Sequence, residues 1–225
     1  MFKLGIDDAG RGPVIGPMVL AGVLIDDKHE KELVRLGVKD SKQLTPKRRE
    51  FLVDKIKEVA ETFEIVVITP NEIDGLEEVN LNRTKLNELE AHAAAKIINT
   101  INKGFKEIEV IIDCPSVSLV KWGDYLKRHV DNLSNLNFKV EHKADVNHLA
   151  VSAASIIAKS VREKEMDKLR EKYGNEIGSG YCHDPNTIKF LEKYSEKYEH
   201  DGIFRKTWAT WTDLITKKSQ MKLDI

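Results

Sequence analysis

The feature that most constrains this chain is a series of short apolar runs whose connections change character along the sequence. Residues 3–7 alternate apolar and polar side chains and stop at a turn, which is the period of a strand. Residues 19–25 form a β-branched run without helical polar spacing, the mark of a buried strand. Residues 63–69, 108–113 and 137–142 read as further strands. Only a Gly- and Pro-rich stretch, residues 8–17, separates the first two, and it is expected to be a loop. Helical stretches separate the later ones. One starts at Thr45-Pro46, with Thr as N-cap and Pro at the first helical position, and runs to about Ala60. Another covers residues 82–102, alanine-rich and closed by Gly104, and a third covers 116–130. A long one covers 150–173, and after a loop at 178–185 two more follow at 186–198 and 208–218. Strands first, then strands alternating with helices, then helices alone predict an α/β fold. It is a mixed sheet flanked by helices with a small helical C-terminal extension. The division is expected at residues 1–175 and 176–225.

Composition narrows the function classes. The 225 residues, 41% of them hydrophobic, are enough for one sizeable core. Charged residues make up 32%, yet the net charge is -1, so the chain is no globally basic polyanion binder. Any nucleic-acid contact must come from a local patch. Cys114 and Cys182 are too few and too far apart for a disulfide framework or a zinc site, and are expected to be plain thiols. Charges break the apolar run in Met1-Phe2-Lys3-Leu4-Gly5-Ile6-Asp7-Asp8, and no later run is long enough to span a bilayer. A cytoplasmic protein without membrane association is expected.

Four carboxylates sit at the edges of apolar elements. Asp7 and Asp8 end the first strand, Asp113 ends the strand carrying Val110-Ile111-Ile112, and Asp145 precedes the long helix. Three elements can thus bring acids to one sheet edge, where they repel one another unless a cation lies among them. Oxygen ligands without nearby Cys select hard ions such as Mg²⁺ or Mn²⁺. Two such ions can clamp the attacking and leaving oxygens of a phosphodiester. Taken singly, an Asp at a strand end is usually a turn or cap residue, and Asp145 could simply cap its helix.

The segment Gly5-Ile6-Asp7-Asp8-Ala9-Gly10-Arg11-Gly12-Pro13 closely resembles the opening signature of the ribonuclease HII family. Further matches follow in order: Lys39-Asp40-Ser41-Lys42-Gln43-Leu44-Thr45, Ile112-Asp113, Lys143-Ala144-Asp145 with Ala153-Ala154-Ser155-Ile156-Ile157-Ala158-Lys159, Gly178-Ser179-Gly180-Tyr181 with Asp184-Pro185, and Phe204-Arg205-Lys206-Thr207-Trp208. Together they span residues 3 to about 210. The resemblance implies a ribonuclease H fold and a catalytic domain over 1–175, with a substrate-binding extension over 176–225. It implies two-metal hydrolysis with Mn²⁺ or Mg²⁺ held by Asp7, Asp8, Asp113 and Asp145. The substrate would be RNA in RNA–DNA hybrids or ribonucleotides embedded in DNA duplex, cut to leave 3′-hydroxyl and 5′-phosphate ends. One departure is plain: the family usually has Glu where this chain has Asp8, an arm one methylene longer.

Loops carry the remaining candidates. Gly10-Arg11-Gly12 reads from its residues as a tight hairpin turn, and the spacing to Gly16 is wrong for a dinucleotide fingerprint. The resemblance implies that its backbone contacts the 2′-hydroxyl at the cut, the group that distinguishes RNA from DNA. Tyr181 is either a core plug or, by resemblance, a ring stacked on the next sugar. Lys42, with Lys39, Lys47, Arg48 and Arg49, forms a basic stretch that is a solvated helix face or a phosphate track. His148 and His183 read as polar surface or cap residues. Residues 219–225 bear a faint similarity to a sliding-clamp-binding tail but lack its two aromatic anchors, so a frayed end is expected. A monomer is expected. Two other readings stand beside the hydrolase: a transposase- or resolvase-like DNA nuclease on the same fold, and an inactive RNA–DNA binding module.

Overall fold

Strand β1 (Phe2–Ala9) pairs antiparallel with β2 (Met18–Ile25) over the full register from Lys3↔Ile25 to Ala9↔Val19 in a computed structural model of the chain. The model describes residues 1–38, 44–75 and 85–223. β1 therefore runs two residues beyond the expected turn, because the ladder to β2 holds Asp8 and Ala9 extended. β4 (Ile108–Asp113) lies parallel on the other side of β1, and β5 (Leu136–Glu141) lies parallel to β4. With β3 (Thr62–Ile68) outside β2, the five-stranded order is β3-β2-β1-β4-β5. The predicted mixed α/β sheet is thus observed, with β1 at its centre between β2 and β4.

The chain forms two compact units. The first comprises residues 1–9, 19–67 and 85–161, which include the sheet. Ala153, Ala154, Ile157 and Ala158 of helix α7 (Leu149–Tyr173) join Val19, Ala21, Val23 and Ile25 in one core. That core also takes Leu52, Val53 and Ile56 from α2 (Pro46–Val59) and Leu33 from α1 (Asp27–Arg35). Small residues let α7 come close: a Cβ on Gly5 would lie 2.1 Å from the Ala150 carbonyl carbon, so only glycine fits there. Helix α4 (Leu86–Ile101) packs on the opposite side of the strands, where a Cβ on Gly22 would meet Ile97 at 2.3 Å. Helix α5 (Leu119–Lys127) packs against α4, its Trp122 Nε1 donating to the Asn87 carbonyl at 2.9 Å.

The second unit comprises residues 10–18, 68–84 and 162–225. Its core joins Val14 and Ile15 to Tyr173, Ile177, Phe190 and Leu191, with Ile203, Phe204 and Trp211. Phe190 and Leu191 lie on α8 (Pro185–Tyr194) and Trp211 on α9 (Ala209–Leu223). A short helix, α3 (Pro70–Asp74), capped by Thr69, completes this unit.

Several elements depart from expectation. α1 and α3 escaped notice because they are short and set by caps: Asp26 accepts from the amides of Lys28 and His29, and Thr69 from that of Glu72. Asp145 does not merely precede α7; it lies in a separate turn of helix, α6 (Ala144–Asn147). α5 and α8 are shorter than their apolar patterns, while α9 continues past the expected Lys218 to Leu223. Neither Cys114 nor Cys182 is in a disulfide. No helix among the described residues is long and apolar enough to cross a membrane.

Candidate metal centre and substrate loops

The parallel pairing of β1 and β4 ends at Ile6 opposite Ile112, so the next residues, Asp7 and Asp113, come to lie side by side just past it. α6 supplies the third acid. The Ala144 amide donates to the Asp113 carboxylate at 3.4 Å, which anchors α6 at the end of β4. Lys143, just before it, is the one non-glycine residue with positive φ (58°) among the described residues. That conformation costs about 1–3 kcal/mol and turns the chain into α6. From α7, the Ser152 hydroxyl donates to the Asp145 carbonyl.

Asp7, Asp113 and Asp145 each offer a carboxylate oxygen, and these oxygens lie within 4.8 Å of one another. Asp7 and Asp145 are buried, at 6% and 3% exposure, and Asp113 is partly exposed. Burial, with the charge of Asp8 and then of Asp113, pushes the Asp7 carboxyl up to about 8. Hydrogen bonds from the Ser155 side chain and the Asp8 amide oppose that rise. Lys159 Nζ lies 3.0 Å from Ser155 Oγ, a cation one hydroxyl away. An all-oxygen set this close, with one member pushed to hold a proton, fits a hard divalent cation and no soft one.

Asp8 stands apart from that trio. Side chains alternate along β1, so its carboxylate leaves on the α4 side. There it lines a small cavity with Asp7 and Asp113 of the trio, Glu90 and Ala94 of α4, Trp122 of α5 and Ile112. Glu90 is 1% exposed, and sequence reasoning missed it because it sits within an ordinary amphipathic helix. Glu141, in register with Asp113, is paired to His148 at 2.9 Å, and this hydrogen bond holds the Glu141 carboxyl below its ordinary range. His148 is therefore a partner of strand β5, close to the expected capping role.

The second unit holds the loops. Gly10 has φ +81°, and a Cβ there would lie 2.3 Å from Arg162 Cδ and Nε. Gly12 is exposed, and a Cβ there would meet only Tyr181 Cε1, at 3.9 Å. The amides of Val14 and Ile15 donate to the Gly180 carbonyl at 2.9 and 3.2 Å, joining the glycine turn to the tyrosine loop. That loop is fixed by Asp184, which accepts from the Ser179 amide and hydroxyl at 2.7 Å each, and by Thr187 Oγ1, which accepts from the Gly180 amide at 2.9 Å. Tyr181 is half-buried, with the Arg162 guanidinium 5.0 Å from its ring centre and the His183 ring 5.3 Å away. It is no core plug. His183, read from the sequence as a polar surface or cap residue, flanks it.

Arg205 is the other residue sequence reasoning passed over. It is fully buried and donates to the carbonyls of Gly10, Arg11 and Gly16 at 2.6, 2.9 and 3.0 Å. Lys42 lies outside the described residues, as do its neighbours from Lys39 to Gln43. Of the rest of the basic stretch, Arg48 is engaged with the Leu36 carbonyl at 2.5 Å and lies over the Phe51 ring.

The comparisons agree with this architecture. The family model for ribonuclease HII matches residues 4–211. A ribonuclease HII of Thermococcus onnurineus is 44% identical over 93% of this chain and 88% of its own. One from Methanocaldococcus jannaschii is 42% identical over the whole of both chains. Among solved structures, the ribonuclease H2 of Pyrococcus horikoshii superposes with a TM-score of 0.85 at 38% identity, covering 96% of this chain and 98% of that one. A ribonuclease HII solved as a complex with PCNA, from Archaeoglobus fulgidus, gives 0.78 at 36% identity, covering 92% and 95%. The chain belongs to the ribonuclease HII family and is an endoribonuclease, a divalent-metal-dependent hydrolase acting on nucleic acid.

Proposed function

We propose that the enzyme cuts RNA in RNA–DNA hybrids and at ribonucleotides embedded in duplex DNA, leaving 3′-hydroxyl and 5′-phosphate ends. The observation that carries this reading is the trio Asp7, Asp113 and Asp145, with oxygens within 4.8 Å, two of them where the pairing of β1 with β4 stops and the third on a helix turn. These residues, with Asp8 at their margin, would hold two Mn²⁺ or Mg²⁺ ions. Such ions supply Lewis-acid stabilisation of the charge on the attacking and leaving oxygens of a phosphodiester. The chain's own part is to hold the carboxylates: the Ser155 side chain and the Asp8 amide fix Asp7, and the Ala144 amide fixes Asp113.

In this proposal the glycine turn of Gly10, Arg11 and Gly12 meets the 2′-hydroxyl. The ring of Tyr181 meets the next sugar. Supporting it, Gly12 is exposed with room beside Tyr181, and the two loops are joined through Gly180. Residues 176–225 then serve as a substrate-binding extension to the catalytic domain of residues 1–175. Lys42 would follow a phosphate.

The test is a DNA duplex carrying one ribonucleotide, incubated with Mn²⁺ or Mg²⁺ and mapped at nucleotide resolution. A cut on the 5′ side of the ribonucleotide is expected, with the all-DNA duplex left intact. Cleavage of the all-DNA duplex would overturn the reading in favour of a DNA nuclease, and binding without cleavage in favour of an inactive module.

Clamp association is a second proposal, supported by the Archaeoglobus fulgidus complex with PCNA and not by the tail residues of this chain. Its test is co-elution with a purified sliding clamp before and after removal of residues 219–225.

A further inference from the structure

One short segment of the second unit, residues 205–208, takes hold of nearly every carbonyl in the glycine turn. Arg205 Nη2 donates to Gly10 O at 2.6 Å, Nη1 to Arg11 O at 2.9 Å and Nε to Gly16 O at 3.0 Å. Trp208 Nε1 donates to Gly12 O at 3.0 Å. The Arg205 amide donates to Val14 O at 2.8 Å, and Phe204 bridges to Ile15. The segment is itself tied down. Asp74 accepts from the Lys206 amide at 2.6 Å, the Thr207 amide at 3.1 Å and the Thr207 hydroxyl at 2.7 Å.

A buried guanidinium is costly to the fold even when its donors are matched. Arg205 is 0% exposed, and burial with Arg162 nearby pulls it down to about 9, still positive at neutral pH. Apolar packing would fill this space at lower cost. What an apolar side chain cannot do is orient a run of peptides. A trans peptide is planar, so the N–H of each residue points away from the carbonyl of the residue before it. With the Gly10 and Arg11 carbonyls drawn onto Arg205, the amides of Arg11 and Gly12 are turned to the side away from the guanidinium.

We propose that Arg205 and Trp208 are specificity-determining positioning residues, which clamp the carbonyls of the glycine turn so that the Arg11 and Gly12 amides are fixed to meet the 2′-hydroxyl of a ribonucleotide. This rests on the reading of the turn as the ribose reader. Arg205 and Trp208 touch no substrate in this scheme and act through the turn. A guanidinium is the one side chain that can fork over three carbonyls. Trp208, with the Arg205 guanidinium 5.0 Å from its ring centre, closes the fourth.

The test measures affinity by fluorescence anisotropy in Ca²⁺ for two duplexes of one sequence, one with a single ribonucleotide and one all DNA. The proteins are the parent, Trp208→Phe, Arg205→Lys and Gly12→Ala, each checked for fold by circular dichroism and melting. Trp208→Phe keeps a ring beside Arg205 and removes one donor, and should lower the ribose preference about threefold. Arg205→Lys keeps the charge without the fork, and should lower it tenfold or more. Affinity for the all-DNA duplex should stay as in the parent. An unchanged preference in folded Trp208→Phe and Arg205→Lys overturns the proposal, and if Arg205→Lys does not fold, Trp208→Phe alone decides. Should Gly12→Ala abolish the preference while those two keep it, the turn remains the ribose reader and only the clamp is lost. Should the parent show no preference at all, the reading of the turn falls first.

Discussion

The backbone amide of Asp8 donates to the carboxylate of Asp7 at 2.8 Å, so one peptide links two acids whose side chains leave opposite faces of β1. Asp7 belongs to the close trio and Asp8 does not, while both line the cavity shared with Glu90 and Trp122. The two residues should therefore respond differently to substitution.

Asp7→Asn should keep the fold and lower metal-dependent cleavage by at least about 100-fold, since losing even a supporting contact at a metal site costs 10–100-fold. Single-turnover cleavage in Mn²⁺ measures it. Near-parental rates from a folded variant would remove Asp7 from the metal site.

The raised carboxyl of Asp7 sets a pH dependence. Unfolded, it releases its proton near 3.8; folded, it holds it to about 8. Between those values the folded chain binds more protons, so the Asp7 contribution makes metal-free stability fall as pH rises from about 4 to 8. Asp7→Asn should remove that slope and melt higher than the parent at pH 8 without metal. Adding Mn²⁺ should raise the parent's melting temperature more at pH 8 than at pH 5. Melting curves at both pH values check this, and identical metal shifts at both would contradict it.

For Asp8, extending the arm by one methylene in Asp8→Glu should retain activity or increase it, and Asp8→Ala should lose it. The cavity on the α4 side is small, about 10 Å³, close to the least a water needs, so the longer arm has little spare room there. Rates in Mg²⁺ and Mn²⁺ separate an effect on ion placement from one on packing.

The two glycines of the turn should behave in opposite ways. Gly10→Ala forces a side chain onto φ +81° and against Arg162, and should destabilise the protein by about 1–3 kcal/mol. Gly12→Ala meets nothing closer than 3.9 Å, and should change stability by less than about 0.5 kcal/mol while lowering kcat/KM on ribonucleotide substrates. Urea melts beside cleavage assays distinguish them, and full activity in Gly12→Ala would place the substrate elsewhere.

Tyr181→Ala should lose rate and the preference for a ribonucleotide followed by DNA together, while Tyr181→Phe keeps much of both because the ring face remains. Aromatic stacking on nucleic acid is worth about 1–3 kcal/mol per base, with a sugar at the lower end. The comparison is a single-ribonucleotide duplex against a uniform RNA–DNA hybrid. An unchanged ratio in Tyr181→Ala would leave the ring a neighbour of Arg162 and His183 only.

The strands were legible because short apolar runs such as residues 19–25 lack helical polar spacing, and Asp7, Asp8 and Asp113 because each closes such a run. What stayed hidden shares a different property. α6 is a single turn held by Asp113 and Ser152, contacts made 31 and 7 residues away, and leaves no periodic trace. Glu90 hides in the pattern of α4, and its burial follows from the packing of α4 on the sheet. Arg205 was visible as part of a matched segment, but its task lies in partners 189 to 195 residues earlier, which no local spacing reports.

That separation has a consequence for biosynthesis. β1 and the glycine turn leave the ribosome first, yet the carbonyls of Gly10 and Arg11 find their donors only once Arg205 has been made. At about 5–20 residues per second, the turn waits roughly 10–40 s after its own synthesis. A nascent chain stalled before that point would carry Asp7, Asp113 and Asp145 with the Gly10 and Arg11 carbonyls still without Arg205, so under the clamp proposed above the preference for a ribose would be set only after residue 205 is made.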